Sequence, residues 1–336
     1  MKALNLHGIG DLRYEDVPDP VCQENEVLVK VRAAGICGSD IPRVFTNGTY
    51  HFPTIIGHEF AGEIVEAKEA DLLGRRVTVF PLLPCHQCAA CAEEHYAQCA
   101  HYSYYGSRQD GGMAEYLAVK RENLAFLPDN VLFSAAAMTE PSAVALHAFR
   151  RSGAKAGDTM LIYGIGTIAL LLAQIAQHAG IRPVLAGRSE AKKRMAEKLG
   201  FSACNIRAES LNDMLGENGA DSCIEATGAE EGLTACIRHA KNFASVVLLG
   251  NPIGAMNLLQ KDYWLILRHE LCVIGTWNSD FSQHQNDWRD VLDFMQQGVI
   301  CPEKLITHRF ALKDYQQAFT LMHEKKEPYL KVMFIL

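Results

Sequence analysis

At Asp158 the hydrophobic period of the sequence changes. Before it, apolar residues alternate with polar ones: Val27, Val29 and Val31 share one face of residues 26–32, and residues 61–66 and 75–80 behave similarly. A period of two is what half-buried strands require. Pro18-Asp19-Pro20 and Asn47-Gly48 mark turns between such runs. After Asp158, six apolar runs (160–163, 184–187, 203–205, 223–226, 246–249 and 272–275) are separated by helical stretches. That order belongs to a parallel sheet covered by helices on both faces. The expected fold class is α/β, with an antiparallel β domain and a doubly wound parallel-sheet domain. A chain of 336 residues is long enough for two such cores.

Local signals sharpen the second half. Residues 190–199 read as a helix with Ser189 as N-cap and Gly200 as terminator. Residues 288–297 read as another helix, and residues 330–335 as a closing strand that rejoins the first domain. The apolar stretch 160–173 is shorter than a membrane span and is interrupted by Gly164 and Gly166. Residues 1–7 are too polar for the core of a signal peptide, so a cytoplasmic protein is expected. A net charge of −7, from 32 basic and 39 acidic side chains, repels phosphate backbones and acidic membrane surfaces. Neither nucleic acid nor membrane is therefore an expected partner, and small molecules remain. The eleven cysteines of such a chain are expected to be reduced or metal-bound.

Four of them stand as Cys85-x2-Cys88-x2-Cys91-x7-Cys99, spaced so that one loop can wrap a tetrahedral ion. With no coordination position left for a substrate, this is expected to be a structural zinc. An iron–sulfur cluster and four unrelated thiols are the alternatives. A second half-site lies in Gly35-Ile36-Cys37-Gly38-Ser39-Asp40 and Gly57-His58-Glu59-Phe60. A thiolate and an imidazole suit Zn²⁺. The expected third ligand is a carboxylate, either Glu59 beside His58 or Glu140 just before the parallel-sheet region, and the alternative is that Cys37 and His58 are ordinary core residues. Ser39 supplies a hydroxyl able to relay a proton, and Gly57 permits close backbone approach.

Residues 161–169 follow a strand and open a helix, with Gly164, Gly166 and, in the third glycine position, Ala169. Backbone N–H groups around Gly164, Gly166, Thr167 and Ile168 can cradle a pyrophosphate at the helix N-terminus. At the end of the next strand a chain built for NAD would present an acidic residue, whereas here stand Gly187, Arg188 and Ser189, followed by Lys192 and Lys193. A bidentate guanidinium without a competing carboxylate suits a 2′-phosphate, so NADP(H) is favoured over NAD(H).

Taken in order, the Cys-Gly-Ser-Asp element, Gly-His-Glu, the four-cysteine lobe and the glycine turn resemble the zinc-dependent medium-chain dehydrogenase/reductase family along essentially the whole chain. The resemblance implies a GroES-like catalytic domain (1–145 and 281–336, with the zinc lobe at 85–99) and a Rossmann domain (146–280). It implies two zinc ions per chain, the catalytic one held by Cys37, His58 and Glu140 with Glu59 exchanging at the site. It also implies a homodimer or homotetramer. Glu140 stands where dehydrogenases of simple alcohols carry a cysteine, which points to the polyol branch. Residues 39–45, 81–85 and 105–112 are similar to polyol-phosphate dehydrogenases. Those are usually NAD-linked, a departure from Gly187-Arg188, and Pro42 occupies the place of a relay histidine. The proton path would then run through Ser39, water, Glu59 or the cofactor ribose. The implied reaction interconverts a secondary alcohol of a polyol or sugar phosphate and its ketone, with Arg43 and Arg108 as candidate phosphate partners. The alternatives are a non-phosphorylated polyol, sugar acid or alcohol as substrate, and a non-catalytic NADP(H)-binding zinc protein.

Overall fold

The structure, a computed structural model, describes residues 1–252 and 254–336. The chain divides into two compact units, Met1–Glu140 with Asp280–Leu336, and Pro141–Ser279. The joins lie slightly before the 145/146 and 280/281 expected from the sequence. Glu140 falls in the first unit, where the Tyr104 hydroxyl donates to its Oε1 at 3.4 Å.

Before the second unit begins, the first unit contributes β1 (Lys2–Gly8), β2 (Asp11–Asp16), β3 (Glu26–Ile36), β4 (Thr54–Ile55), β5 (Glu59–Glu66), β6 (Arg76–Val79), β7 (Leu82–Leu83), β8 (Ser103–Tyr104), β9 (Tyr116–Lys120) and β10 (Leu124–Phe126). The second unit contributes β11 (Thr159–Tyr163), β12 (Arg182–Gly187), β13 (Ser202–Asn205), β14 (Ala220–Glu225), β15 (Ala240–Leu248) and β16 (Cys272–Gly275). The chain then returns to the first unit as β17 (Ile306–Phe310) and β18 (Lys331–Ile335).

In the first unit the main sheet runs β10-β6-β5-β3-β18-β17, with β9 also on β3, and a smaller sheet runs β2-β1-β4. Only the β17–β18 pair is parallel among the described pairs of the main sheet. Val27, Val29 and Val31 point into one core with Leu4, Phe60, Val79 and Phe334. The alternation of β3 stops after Arg32, and Ala33, Ala34, Gly35 and Ile36 are all buried. Both faces of the strand are therefore covered as it delivers Cys37.

The second unit is a parallel sheet in the order β13-β12-β11-β14-β15-β16. β11 lies between β12 and β14, so successive connections leave it on opposite sides, and the crevice at its carboxyl end is where such sheets bind ligands. Leu161, Val184, Cys223 and Val246 form its core. Ser189 caps the helix Glu190–Lys198, its Oγ accepting from Lys192 N, and Gly200 follows at φ +89°. No helix of the described residues is long and apolar enough to cross a membrane.

Candidate metal centres and dinucleotide site

The four thiols at 85, 88, 91 and 99 converge, with Sγ–Sγ separations of 3.9 Å (Cys85–Cys91), 3.6 Å (Cys88–Cys91) and 3.9 Å (Cys88–Cys99). A tetrahedral ion with metal–sulfur bonds of about 2.3 Å has sulfurs about 3.8 Å apart, so the thiols fit one ion. Backbone N–H groups of Ala100 and Cys91 lower the Cys88 thiol to about 6, and the N–H of Gln87 lowers Cys85. Burial pushes Cys91 up to about 12. Cys88 thus already favours thiolate, whereas Cys91 needs a cation to release its proton.

The second cluster is assembled by β3 and β5, whose Gly35 and Glu59 face each other across the ladder. Cys37 Sγ, a ring nitrogen of His58 and a carboxylate oxygen of Glu59 lie within 4.8 Å of one another. Glu140 stands outside that trio but is buried, and its hydrogen-bond partner Tyr104 places its ring edge-on to His58 at 5.7 Å. Burial pushes the Cys37 thiol up to about 12, with the charges of Glu59 and Asp40 adding to it. Burial likewise raises Glu140 to about 7. The buried Nδ1 of His58 has no hydrogen-bond partner and lies 3.6 Å from Asp40 Oδ1. A thiol, an imidazole and carboxylates enclosed together fit a divalent cation, which would displace the protons of Cys37 and Glu140.

Three supports of this cluster escape sequence reasoning. Asp40, fully buried, accepts from Cys37 N at 2.9 Å and from Arg43 Nη1 at 2.8 Å. Lys331 of β18 forms a buried ion pair with Glu59 and donates to Ile36 O at 3.0 Å. Gly35 leaves room for that pair, since a Cβ there would sit 2.4 Å from Glu59 Oε2. The signal in the sequence was a lone lysine inside the apolar run 330–335. Gly57, at φ +99°, is packed so closely that a Cβ would lie 2.6 Å from Met113 Cγ. Gly112 N donates to Gly57 O, which fixes the backbone that presents His58.

Around the cluster, Ser39 Oγ accepts from Arg43 Nη1 at 3.1 Å. Arg43 is therefore committed to Asp40 and Ser39. The guanidinium of Arg108 lies over the rings of Tyr50 (4.0 Å) and Tyr102 (4.6 Å), with its Nε buried and without a hydrogen-bond partner.

In the second unit, Gly164 adopts φ +137°, and a Cβ there would lie 3.3 Å from Ala226 and Thr227. Gly166 is the N-cap of Thr167–His178, and a Cβ on it would meet nothing within 4 Å, so the turn leaves an open cradle before the first N–H groups. Ala169 is buried where the helix packs on the sheet. The rim is stabilised by Glu225, which the sequence did not single out. Its buried carboxylate accepts from Thr227 N (2.7 Å) and Gly228 N (3.0 Å), and its carbonyl accepts from Leu249 N and Gly250 N. Gly187 is packed against Ile165, Arg188 is paired with Glu231 at 3.6 Å, and Lys193 is paired with Glu209 and Glu197.

An antiparallel β unit with two convergent ligand clusters and a parallel-sheet unit with a glycine cradle define a zinc-binding, dinucleotide-dependent dehydrogenase. The chain belongs to the zinc-dependent medium-chain dehydrogenase/reductase family. Residues 23–129 match the alcohol dehydrogenase GroES-like domain, and residues 164–297 match the zinc-binding dehydrogenase domain. The chain is 35% identical to galactitol 1-phosphate 5-dehydrogenase of Escherichia coli (strain K12), over 90% of its own length and 91% of that protein. It is 31% identical to a sorbitol dehydrogenase of Halalkalibacterium halodurans, over 95% of each chain. The crystal structure of galactitol-1-phosphate dehydrogenase from Escherichia coli superposes with a TM-score of 0.92 at 32% identity, covering 100% of both chains.

Proposed function

We propose that the protein interconverts a secondary alcohol of a polyol or polyol phosphate, of the galactitol 1-phosphate kind, and the corresponding ketone. The convergence of Cys37, His58 and Glu59 beside buried Glu140 carries this reading. Cys37, His58 and Glu140 would hold the catalytic zinc, with Glu59 exchanging against Glu140 or water, and Cys85, Cys88, Cys91 and Cys99 would hold the structural one. When bound, a zinc ion there would supply Lewis acidity toward the substrate hydroxyl, and a nicotinamide would supply the hydride acceptor. Ser39 accepts from Arg43, which leaves its own O–H to pass the released proton outward. Pro42 offers no imidazole for that path. Catalysis is assigned to residues 1–145 and 281–336 and dinucleotide binding to 146–280, where Gly164, Gly166, Thr167 and Ile168 receive the pyrophosphate and Arg188 favours NADP(H) over NAD(H).

Arg108 is the stronger candidate for a substrate phosphate, because its Nε lacks a partner while Arg43 is already paired. The pairing of Arg43 also favours a second reading, a non-phosphorylated polyol. The deciding experiment is a panel of polyols, polyol phosphates and ketoses, assayed on zinc-loaded protein with NADP, NADPH, NAD and NADH. Absence of turnover across the panel would overturn the polyol reading. Equal loss on phosphorylated and plain substrates in Arg108→Ala would remove phosphate recognition. A cytoplasmic setting is supported by eleven free thiols, and its check is the compartment in which the native protein fractionates. A homodimer or homotetramer is supported by the exposed edge strand β16 and by exposed Trp264 and Leu267.

A further inference from the structure

The end of β12 lacks the carboxylate that an NAD ribose would engage, yet a carboxylate reaches this corner from elsewhere. Glu231 stands in the first turn of the helix Glu230–His239 that follows β14, and its Oε2 lies 3.6 Å from Arg188 Nη1. Its neighbour Glu230 is turned away, accepting from Asn257 N and Nδ2. Lys193 is occupied by Glu209 and Glu197, so it does not share the carboxylate of Glu231. Beneath the pair, Tyr163 closes the end of β11, and Gly232 leaves room for it, since a Cβ there would lie 3.0 Å from Tyr163 Cδ1. The ends of β11, β12 and β14 therefore meet where Arg188 and Glu231 meet. Both side chains are about half exposed, 56% and 52%, so either can be approached by a ligand.

We propose that Glu231 is the selectivity residue of the adenosine pocket. It supplies from the helix after β14 the acceptor that is missing from the end of β12, and it competes with a 2′-phosphate for Arg188. The proposal rests on the reading that this corner receives the adenosine ribose. With a 2′-hydroxyl, the Arg188–Glu231 pair stays intact and Glu231 accepts the hydroxyl proton. With a 2′-phosphate, Arg188 must leave Glu231, and the phosphate then faces a carboxylate of like charge. The chain would consequently use both dinucleotides, with a preference for NADP(H) held well below what Arg188 alone would produce.

The probes are 2′,5′-ADP and 5′-AMP, which differ only in the 2′-phosphate, with binding to the zinc-loaded full chain measured by calorimetry. A like charge removed from a half-exposed position a few ångströms away is worth about five- to tenfold in affinity. Glu231→Gln should therefore tighten 2′,5′-ADP by about that factor and leave 5′-AMP unchanged or weaker. Arg188→Ala should abolish the preference for 2′,5′-ADP. An unchanged ratio in Glu231→Gln, with the preference lost in Arg188→Ala, would overturn the role of Glu231 while retaining the corner as the ribose site. A ratio unmoved by either substitution would overturn both. Far-UV circular dichroism of each variant separates these outcomes from misfolding.

Discussion

Lys331→Met should damage the protein far more than a lysine substitution ordinarily does. Lys331 and Glu59 expose 5% and 2% of their side chains, and Lys331 also serves Ile36 O. Methionine fills a similar volume but strands a carboxylate in the interior. Breaking a buried pair from one side costs about 3–5 kcal/mol, and the lost bond to Ile36 O adds about 1 kcal/mol. Against typical domain stabilities of about 5–15 kcal/mol the loss is severe. The double variant Lys331→Met with Glu59→Gln should recover most of it, because no charge is left unpaired. Zinc should also reduce the loss by taking up the Glu59 charge. Urea unfolding of wild type and both variants, with zinc and after chelation, measures each quantity. The pH dependence has a fixed sign. Against the opposing effect of burial, the negative charge of Glu59 holds the Lys331 amine above the ordinary lysine range. Its contribution is thus fully present below the unfolded value of about 10.4 and is lost only as pH rises through the higher folded value. A single-variant loss under about 1 kcal/mol, or no recovery in the double variant, would show that the carboxylate is not held as a buried charge.

Other consequences are simpler to read. Cys99→Ser should lower the zinc content found by metal analysis by one ion per chain and lower the thermal midpoint, since one thiol of the four-sulfur set is lost. Zinc content unchanged from wild type would argue against a shared ion. Glu225→Gln should destabilise the second unit by about 2–4 kcal/mol, because an amide oxygen cannot replace a carboxylate that accepts from several donors at once. Its dinucleotide affinity should fall with it, and a chemical unfolding midpoint equal to wild type would refute that anchoring role. Val273→Lys, on the edge strand, should shift light-scattering mass toward the monomer, and an unchanged mass would move the proposed contact elsewhere.

Sequence alone determined what depends on neighbours along the chain. The two-residue period gave β3 and its buried valines, the alternation after Asp158 gave the parallel sheet, and Ser189 and Gly200 bounded a helix through local capping and a left-handed terminus. Cysteine spacing within one short loop likewise sets the four thiols close together. Tertiary structure alone decided which distant groups meet. Lys331 reaches Ile36 across 295 positions, Glu59 finds its cation on the last strand, and Glu231 arrives beside Arg188 from a different helix. Periodicity reports that a residue is buried or lies at a strand end. It carries no information about the partner, because pairing of buried charges depends on which strands become neighbours, and that is settled by packing of the whole sheet.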